Sequence, residues 1–433
     1  MLIRELNDTK KRVLVLGINF KPELTGIGKY TGEMTEWLVE NGYSCTVVTS
    51  FPYYPNWKIQ KPYRGLLFKK EVKYDGRLQI YRCPLYVPGL PSGLKRILQE
   101  LTFFLTSLVM LCYLLFKKGH QQIFCMAPPF HLGFLAIFYR FFKGGEIVYH
   151  IQDLQIEASR DLQVIRWKGL FSLLFALEKT ILKQVNFVST ISDGMCKKIA
   201  DKVNKKVLFF PNWVDTDVFF PLASKLGLKE RWGFKPSDIL VLYSGSIGEK
   251  QGLDSLINIA KQLKGEEQIK FIISGNGPYK EKLSQLALDA GLNNVHFLSL
   301  QPVHLFNEFL NMADVHLILQ KKNVCDLVMP SKLLAILSSG GLPLVTAEEG
   351  TSLHTVIKKH EMGLVVACEE EESLKKAILD SCSSDYSKLV TNGRRFAEEF
   401  LNRNYVIQNL MSQLEGPKIV DLPKLEYADL KNA

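Results

Sequence analysis

Short apolar runs recur along the chain, separated by longer stretches in which apolar positions return every three to four residues. Runs without alternation suit strands buried on both faces, and their regular exchange with helical stretches predicts βαβ units and parallel sheets. In the first half the predicted strands are "RVLVLG", "CTVVTS", "LQIYRC", "IFCM", "EIVYHI", "NFVST" and "VLFFP", with helices between them that include 29–41, 95–117 and 168–184. At "FFPNWVDTDVFFPL" (209–222) two prolines and polar residues interrupt the pattern, which predicts a domain boundary. A second series follows: "ILVLYSG", "IKFIISG", "VHFLS", "DVHLILQ", "LPLVTA" and "GLVVAC". A long helical stretch is predicted from about Tyr386 to Leu414, ahead of a polar tail. Two such domains would hold ligands beyond the carboxyl ends of their strands, in a cleft.

Glycine-bearing loops sit where strands feed helices. "GINFKPELTGIGKY" (17–30) follows the first strand, but Gly26, Gly28 and Gly32 are spaced G-x-G-x-x-x-G, one residue too long for a dinucleotide fingerprint. Either the loop approaches an anion with its backbone amides, or its glycines only satisfy turn geometry. In the second half "SGSIGEKQG" (244–252), "SGNGPY" (274–279) and "SSGGLP" (338–343) lie at comparable strand ends, and Lys250 adds a cation suited to a diphosphate. "MPSKLLAIL" (329–337) places Ser331 as a helix cap with Lys332 in the first turn, a combination that attracts phosphate. "YHIQDLQ" (149–155) gathers His150, Gln152 and Asp153 at a strand end, where they either orient a sugar and handle a proton or serve as a cap.

Composition narrows the partners. The 433 residues are 47% hydrophobic and 23% charged, as in a folded globular protein, with a net charge of +10 that favours anionic ligands. Basic residues are spread along the chain without an aromatic-interleaved stripe, which argues against nucleic acid. Eight dispersed cysteines form no C-x-x-C pair and no Cys/His cluster, the pattern of reduced cytoplasmic thiols, and the polar start "MLIRELNDTKKR" does not read as a signal peptide. The segment "LTFFLTSLVMLCYLLF" (101–116) is uncharged, with Lys95 and Arg96 before it and Lys117 and Lys118 after. It reads either as an interfacial helix whose basic flanks meet anionic lipid or as a core helix, and the basic-edged run "HLGFLAIFYRFFKGG" (131–145) leans toward the membrane.

Taken in order, "GINFKPELTGIGKYTGEM", "FPYYP", "CPLYVP", "HIQDLQ", "STISDGM", "FFPNWVD", "YSGSIGEKQGLDSLI", "SGNGP" and "MPSKLLAILSSGGLP" resemble the motifs of GT-B glycosyltransferases of family 4. Within that family they are most similar to the colanic-acid-type enzymes of bacterial exopolysaccharide and O-antigen synthesis, and the resemblance spans residues 12 to 415 or so. It implies an α/β protein of two Rossmann-like domains facing a cleft. Residues 1–215 would bind the acceptor, 216–400 the donor, and 401–433 would form a helix returning toward the first domain and a polar tail. The implied activity is a retaining transfer of sugar from a nucleotide diphosphate sugar (GDP-fucose, GDP-mannose or a UDP-sugar), with no cofactor and no essential metal. The implied acceptor is a saccharide linked to polyprenyl diphosphate at an anionic membrane surface, reached by a cytoplasmic protein bound peripherally to the inner face of the plasma membrane.

Carried over by position, Gly26 and Gly28 belong to the first-domain loop near the donor phosphates and the acceptor. His150 and Asp153 match the motif near the reacting sugar, and Asn212 the interdomain Pro-Asn element. Gly245 and Lys250 match the phosphate motif, while Gly275 and Gly277 match the nucleotide-side loop. The chain also departs from the family. Ser246 stands where arginine is usual, a role Lys332 would take over, and the paired glutamates of E-x7-E would fall near Val328 and Ile336, neither acidic. Asp326 is the nearest acidic candidate for the face opposite the anomeric carbon. The missing glutamates keep one rival reading in view, a degenerate membrane-associated scaffold; the other rival, a nucleotide-sugar epimerase of the same fold, would need an acidic pair that the sequence does not show.

Overall fold

The computed structural model describes residues 11–23, 26–90, 92–161, 168–322 and 330–415, without the side chains of residues 158, 161, 168 and 250. The polar tail, Asp326 and Val328 therefore lie outside the described residues.

The first sheet comprises β1 (Arg12–Leu16), β2 (Ser44–Ser50), β3 (Lys69–Lys73), β4 (Leu78–Cys83), β5 (Gln122–Ala127), β6 (Glu146–Ile151), β7 (Phe187–Thr190) and β8 (Val207–Phe209). Their order is β3-β4-β2-β1-β5-β6-β7-β8. All neighbours run parallel except β3 and β4, and β1 sits centrally, with Leu14 opposite both Thr46 of β2 and Ile123 of β5. The second sheet comprises β9 (Ile239–Ser244), β10 (Ile269–Ser274), β11 (Val295–Leu298), β12 (Val315–Ile318), β13 (Pro343–Thr346) and β14 (Leu364–Val366), all parallel, in the order β11-β10-β9-β12-β13-β14. Central strands such as "LVLY" at 240–243 are buried throughout, which is why they read as unbroken apolar runs.

Three elements differ from the sequence expectation. The edge strand β3, "KKEVK", was not predicted, because four charged residues and an exposed Val72 carry no apolar signal. It is held by Arg82 of β4, whose buried guanidinium bonds the Glu71 carboxylate at 2.7 Å and the Lys21 carbonyl at 2.6 Å. The stretch 386–414 is two helices, Ser387–Phe400 and Arg403–Glu415. Between them the Val214 amide bonds the Leu401 carbonyl at 2.9 Å and Val214 bridges to Asn402, so a tertiary contact interrupts the helix. The helix after β1 begins at Gly26, earlier than expected, despite its glycines. A Cβ on Gly28 would fall 2.8 Å from Glu23 Oε2, and one on Gly32 would fall 2.4 Å from Lys21 Cγ. Those glycines let the preceding loop pack flat on the helix.

The described chain forms two compact units, one running to Pro211 and taking in the chain from Ile407, the other running from Asn212 to Val406. In the first, the helix Gly93–Leu114 packs on β2, β4 and the helix Leu132–Lys143. Its buried face carries Gln99, Phe103, Ser107, Met110, Leu111 and Leu114. Leu94, Leu98, Leu101, Leu105, Val109 and Tyr113 form an exposed stripe on the other face. The segment is thus not a helix buried all round: one face lies in the core and an apolar face lies outside it.

Candidate active site

In the second sheet the strand order turns between β9 and β12, and open α/β sheets hold ligands beyond the carboxyl ends at such a turn. β9 runs there into the 244–252 loop, and β12 leads to the helix Lys332–Ser338. Their meeting point is Lys332. Its Nζ lies 3.7 Å from the centre of the Tyr243 ring, and a Cβ on Gly245 would come within 3.1 Å of its Cε and Nζ. Gly245, at φ +146°, leaves the room the lysine occupies. The Tyr243 hydroxyl donates to the Ser246 carbonyl at 2.6 Å, which ties the loop to the ring beneath the ammonium. Burial pushes the Lys332 ammonium down to about 7, and among the described residues no neighbouring charge offsets it. A half-buried lysine with no counter-ion among the described residues, at a glycine-lined strand end, is arranged to accept an anion.

The glycines of the neighbouring loop have a reason internal to the protein. A Cβ on Gly275 would fall 1.8 Å from the Gly245 carbonyl oxygen, and one on Gly277 would fall 2.0 Å from that of Ile247. Backbone lies on backbone here, with Gly245 N bonded to Ser274 O at 2.9 Å and Ile247 N to Asn276 O at 3.0 Å. Gly275 and Gly277 thus hold the loop that presents Gly245 and Ser246. Ser246 is exposed and contributes its carbonyl, and Lys250 stands in the short turn Glu249–Gln251. Ser331 precedes its helix with a backbone already helical (φ −62°, ψ −21°) and a side chain that makes no capping bond, so the expected cap does not form. Ile336, where the family's second glutamate would stand, is buried among Leu333, Leu334 and Leu337.

In the first sheet the corresponding turn lies between β1 and β5, and the 17–26 loop leaves β1 there. Gly26 is exposed in the left-handed region (φ +62°) at the first turn of its helix. The polar centre of this edge is a residue the sequence reading passed over. Glu23 is buried, accepts the amides of Tyr53 and Tyr54 at 2.9 Å each and the Asn19 side chain at 2.8 Å, and so fastens this loop to "FPYYP". Burial raises its pKa against those donors.

His150 sits inside the sheet rather than at its rim. It is buried, its Nδ1 lies 3.0 Å from the Ser189 hydroxyl, its ring meets Phe210 edge-on at 5.0 Å, and burial pushes its pKa down to about 3. The ring is neutral at physiological pH and ties β6 to β7 and Phe210. Asp153 is half-buried in that turn and its carbonyl accepts from the Gln155 amide at 3.0 Å. Gln155 in turn donates to Glu100 at 2.8 Å. Glu100 was not singled out from the sequence, where it lies inside an apolar helix. Burial pushes its carboxyl up to about 7, partly opposed by Gln155 and by the nearby Arg96. Asn212 is the first residue of the second unit, partly buried between Pro211 and Trp213.

The chain was compared with known proteins. Residues 225–396 match the family model described as glycosyl transferases group 1. The chain is 36% identical over 413 residues to a protein of Escherichia coli (strain K12) named as the colanic acid biosynthesis glycosyl transferase WcaI, covering 94% of this chain and 100% of that one. Among solved structures, sucrose-phosphate synthase from Thermosynechococcus elongatus has a TM-score of 0.71 at 15% identity, covering 94% of this chain and 98% of its own. Anabaena HepE, solved with UDP-glucose, has a TM-score of 0.68 at 12% identity, with 94% and 99% covered. WaaG, a glycosyltransferase involved in lipopolysaccharide biosynthesis, has a TM-score of 0.67 at 14% identity, with 94% and 100% covered. These structures share its GT-B fold, and the extent and identity of the WcaI match show that the chain belongs to the group 1 glycosyltransferases and is a glycosyltransferase.

Proposed function

We propose that this enzyme moves a sugar, with retention of configuration, from a nucleotide diphosphate sugar to a lipid-linked saccharide during synthesis of an exopolysaccharide of the colanic-acid kind. The observation that carries the donor half is Lys332, half-buried over Tyr243 against the Gly245 loop at the strand-order turn of the second sheet. Support also comes from the name of the WcaI relative and from HepE, whose structure was solved with UDP-glucose. In the transfer, the bond from the anomeric carbon to the diphosphate breaks as the acceptor oxygen bonds the same face of that carbon. The acceptor proton leaves with the nucleoside diphosphate. Charge accumulates on the departing phosphate, where a preorganised ammonium and loop amides act most strongly. Lys332 and the Gly245–Ser246 backbone fill that role, with Lys250 and Ser331 beside them in the chain. Asp153, Gln155 and Glu100 form the polar group that meets the reacting sugar and acceptor in the first unit, with Gly26 at the neighbouring strand end, and Asp326 is kept as the candidate acidic group of the second.

The reading places the enzyme at the cytoplasmic face of the plasma membrane. The exposed stripe on Gly93–Leu114, with Lys95, Arg96, Lys117 and Lys118 at its ends, supports docking on anionic lipid beside a polyprenyl-diphosphate-linked acceptor. The test is thermal stability against a panel of GDP- and UDP-sugars, followed by turnover on a polyprenyl-diphosphate-linked saccharide in vesicles. A rise in Tm with one nucleotide sugar, lost in Lys332→Gln, is the expected result. Absence of any rise in folded protein refutes the donor assignment.

A further inference from the structure

At the amino ends of β1, β5 and β6, opposite the edge that carries the glycine loops, the first unit holds a cavity of about 520 Å³. Lys11, Arg12, His120 and Lys143 line it, together with one acidic residue, Glu146. Lys11 lies 3.5 Å from Glu415. Neither Arg12 nor Lys143 has a carboxylate partner among the described residues. His120 is wall and not ligand: its ring nitrogens are taken by Tyr139 at 2.7 Å and Thr46 at 2.9 Å. Burial, and after it the charges of Arg12 and Lys143, push its pKa down to about 4, so the field of both cations reaches the cavity wall.

The walls are built closely. Gly145, at φ +100°, has no room for a side chain, since a Cβ would fall 2.4 Å from the His120 carbonyl, and a Cβ on Gly119 would fall 3.2 Å from that of Lys143. The second contact brings the segments 116–119 and 141–145 together, and these segments carry the most exposed aromatic residues among the described residues of the unit: Phe116 at 89%, Phe141 at 81% and Phe142 at 56%. Phe141 and Phe142 meet edge to face at 5.0 Å. Lys117 and Lys118 stand exposed beside Phe116. Phe116 also ends the apolar stripe of Gly93–Leu114, which at 1.5 Å per residue runs about 33 Å along the unit. A cationic cavity whose lining segments 116–119 and 141–145 also carry exposed phenylalanines, at one end of an apolar stripe, joins the two chemistries of a phospholipid: a phosphate, and the start of an acyl chain.

We propose that this cavity takes the headgroup phosphate of an anionic phospholipid, with Phe116, Phe141 and Phe142 set into the acyl boundary beside it. The inference rests on the membrane docking read above and adds a defined lipid site to it. Lys11, Arg12 and Lys143 neutralise the phosphate, and the stripe lays the helix along the bilayer surface. The enzyme is then gripped at the edge away from its reacting groups.

The test uses the full chain with two probes: flotation with vesicles of phosphatidylglycerol in phosphatidylcholine, and titration with monomeric dihexanoyl-phosphatidylglycerol beside inorganic phosphate. The triple variant Lys11→Gln/Arg12→Gln/Lys143→Gln is compared with the native chain and with Lys261→Gln/Lys264→Gln/Lys282→Gln in the second unit. Expected is binding of the short-chain lipid by the native chain, at least tenfold weaker in the first variant and unchanged in the second, with inorganic phosphate bound far more weakly. Should the triple variant fail to fold, Lys143→Gln alone is expected to weaken binding at least threefold. Equal binding of inorganic phosphate overturns the lipid assignment in favour of a soluble anion. Vesicle binding that survives the substitutions overturns the cavity and leaves the docking face standing, whereas a native chain that never floats removes both.

Discussion

Lys332 makes donor binding a proton-linked event. With its ammonium pushed down to about 7, the lysine is charged in roughly one molecule in ten at pH 8 before a ligand arrives. A diphosphate diester holds a constant charge through the neutral range, so a nucleotide sugar seated against Nζ restores the proton by raising the lysine's pKa. Affinity therefore weakens by about tenfold per pH unit above 7, until the pH reaches the pKa of the bound state. Calorimetric titration at about pH 6.5, 7.5 and 8.5, in buffers of differing ionisation enthalpy, reads both quantities: the change in Kd and an uptake that approaches one proton at the highest pH. Lys332→Arg keeps its charge and is expected to bind without the slope. Lys332→Gln is expected to be pH-independent and to match the native chain at the alkaline end. A native Kd that is flat over this range, or a slope that persists in Lys332→Gln, refutes the reasoning. The same shift carries a stability cost. The unfolded lysine keeps its proton to higher pH than the folded one, so stability rises as pH climbs from about 7 toward 10.5, and Lys332→Met is expected to flatten that rise in a Tm series.

Further outcomes follow from the neighbouring groups. Glu100, raised from 4.5 to about 7, is a carboxyl whose folded form holds a proton the unfolded form releases, so the fold loses stability as pH climbs through that window. Glu100→Gln is expected to stabilise at pH 8 by on the order of 1–3 kcal/mol and to change nothing below pH 4, as checked by denaturant melts. Glu23→Ala strands the amides of Tyr53 and Tyr54 and is expected to cost on the order of 2–3 kcal/mol, with faster hydrogen exchange at both amides. Gly275→Ala drives a methyl into the Gly245 carbonyl and is expected to lower Tm by roughly 5–10 °C and weaken donor binding with it. Leu101→Lys/Leu105→Lys puts charge on the exposed stripe and is expected to reduce uptake onto neutral phosphatidylcholine vesicles, read by flotation.

What local sequence settles here is burial. Runs such as 13–16 and 240–243 are apolar at every position because both faces of a parallel strand are covered, so the strands, their alternation with helices and the two series are legible without any contact being known. Glycine loops at strand ends, and the ordered motifs from 17 to 343, mark where the chemistry is sought for the same local reason. The partners of the polar groups stayed hidden, because each partnership joins segments far apart in the chain. Glu23 acts through amides some thirty residues away, Arg82 through a strand with no apolar signal, and Glu100 through a glutamine on another helix. An apolar helix likewise does not disclose which face it buries: Gly93–Leu114 turns Gln99 and Ser107 inward and Leu98, Leu101 and Leu105 outward, as the neighbours on the sheet dictate. The lysine of "MPSKLL" was visible from the start as a first-turn cation. That it lies over the Tyr243 ring, with its proton loosened toward pH 7 until an anion arrives, came only from the fold, because a pKa is set by what surrounds a group in space and not by what flanks it in the chain.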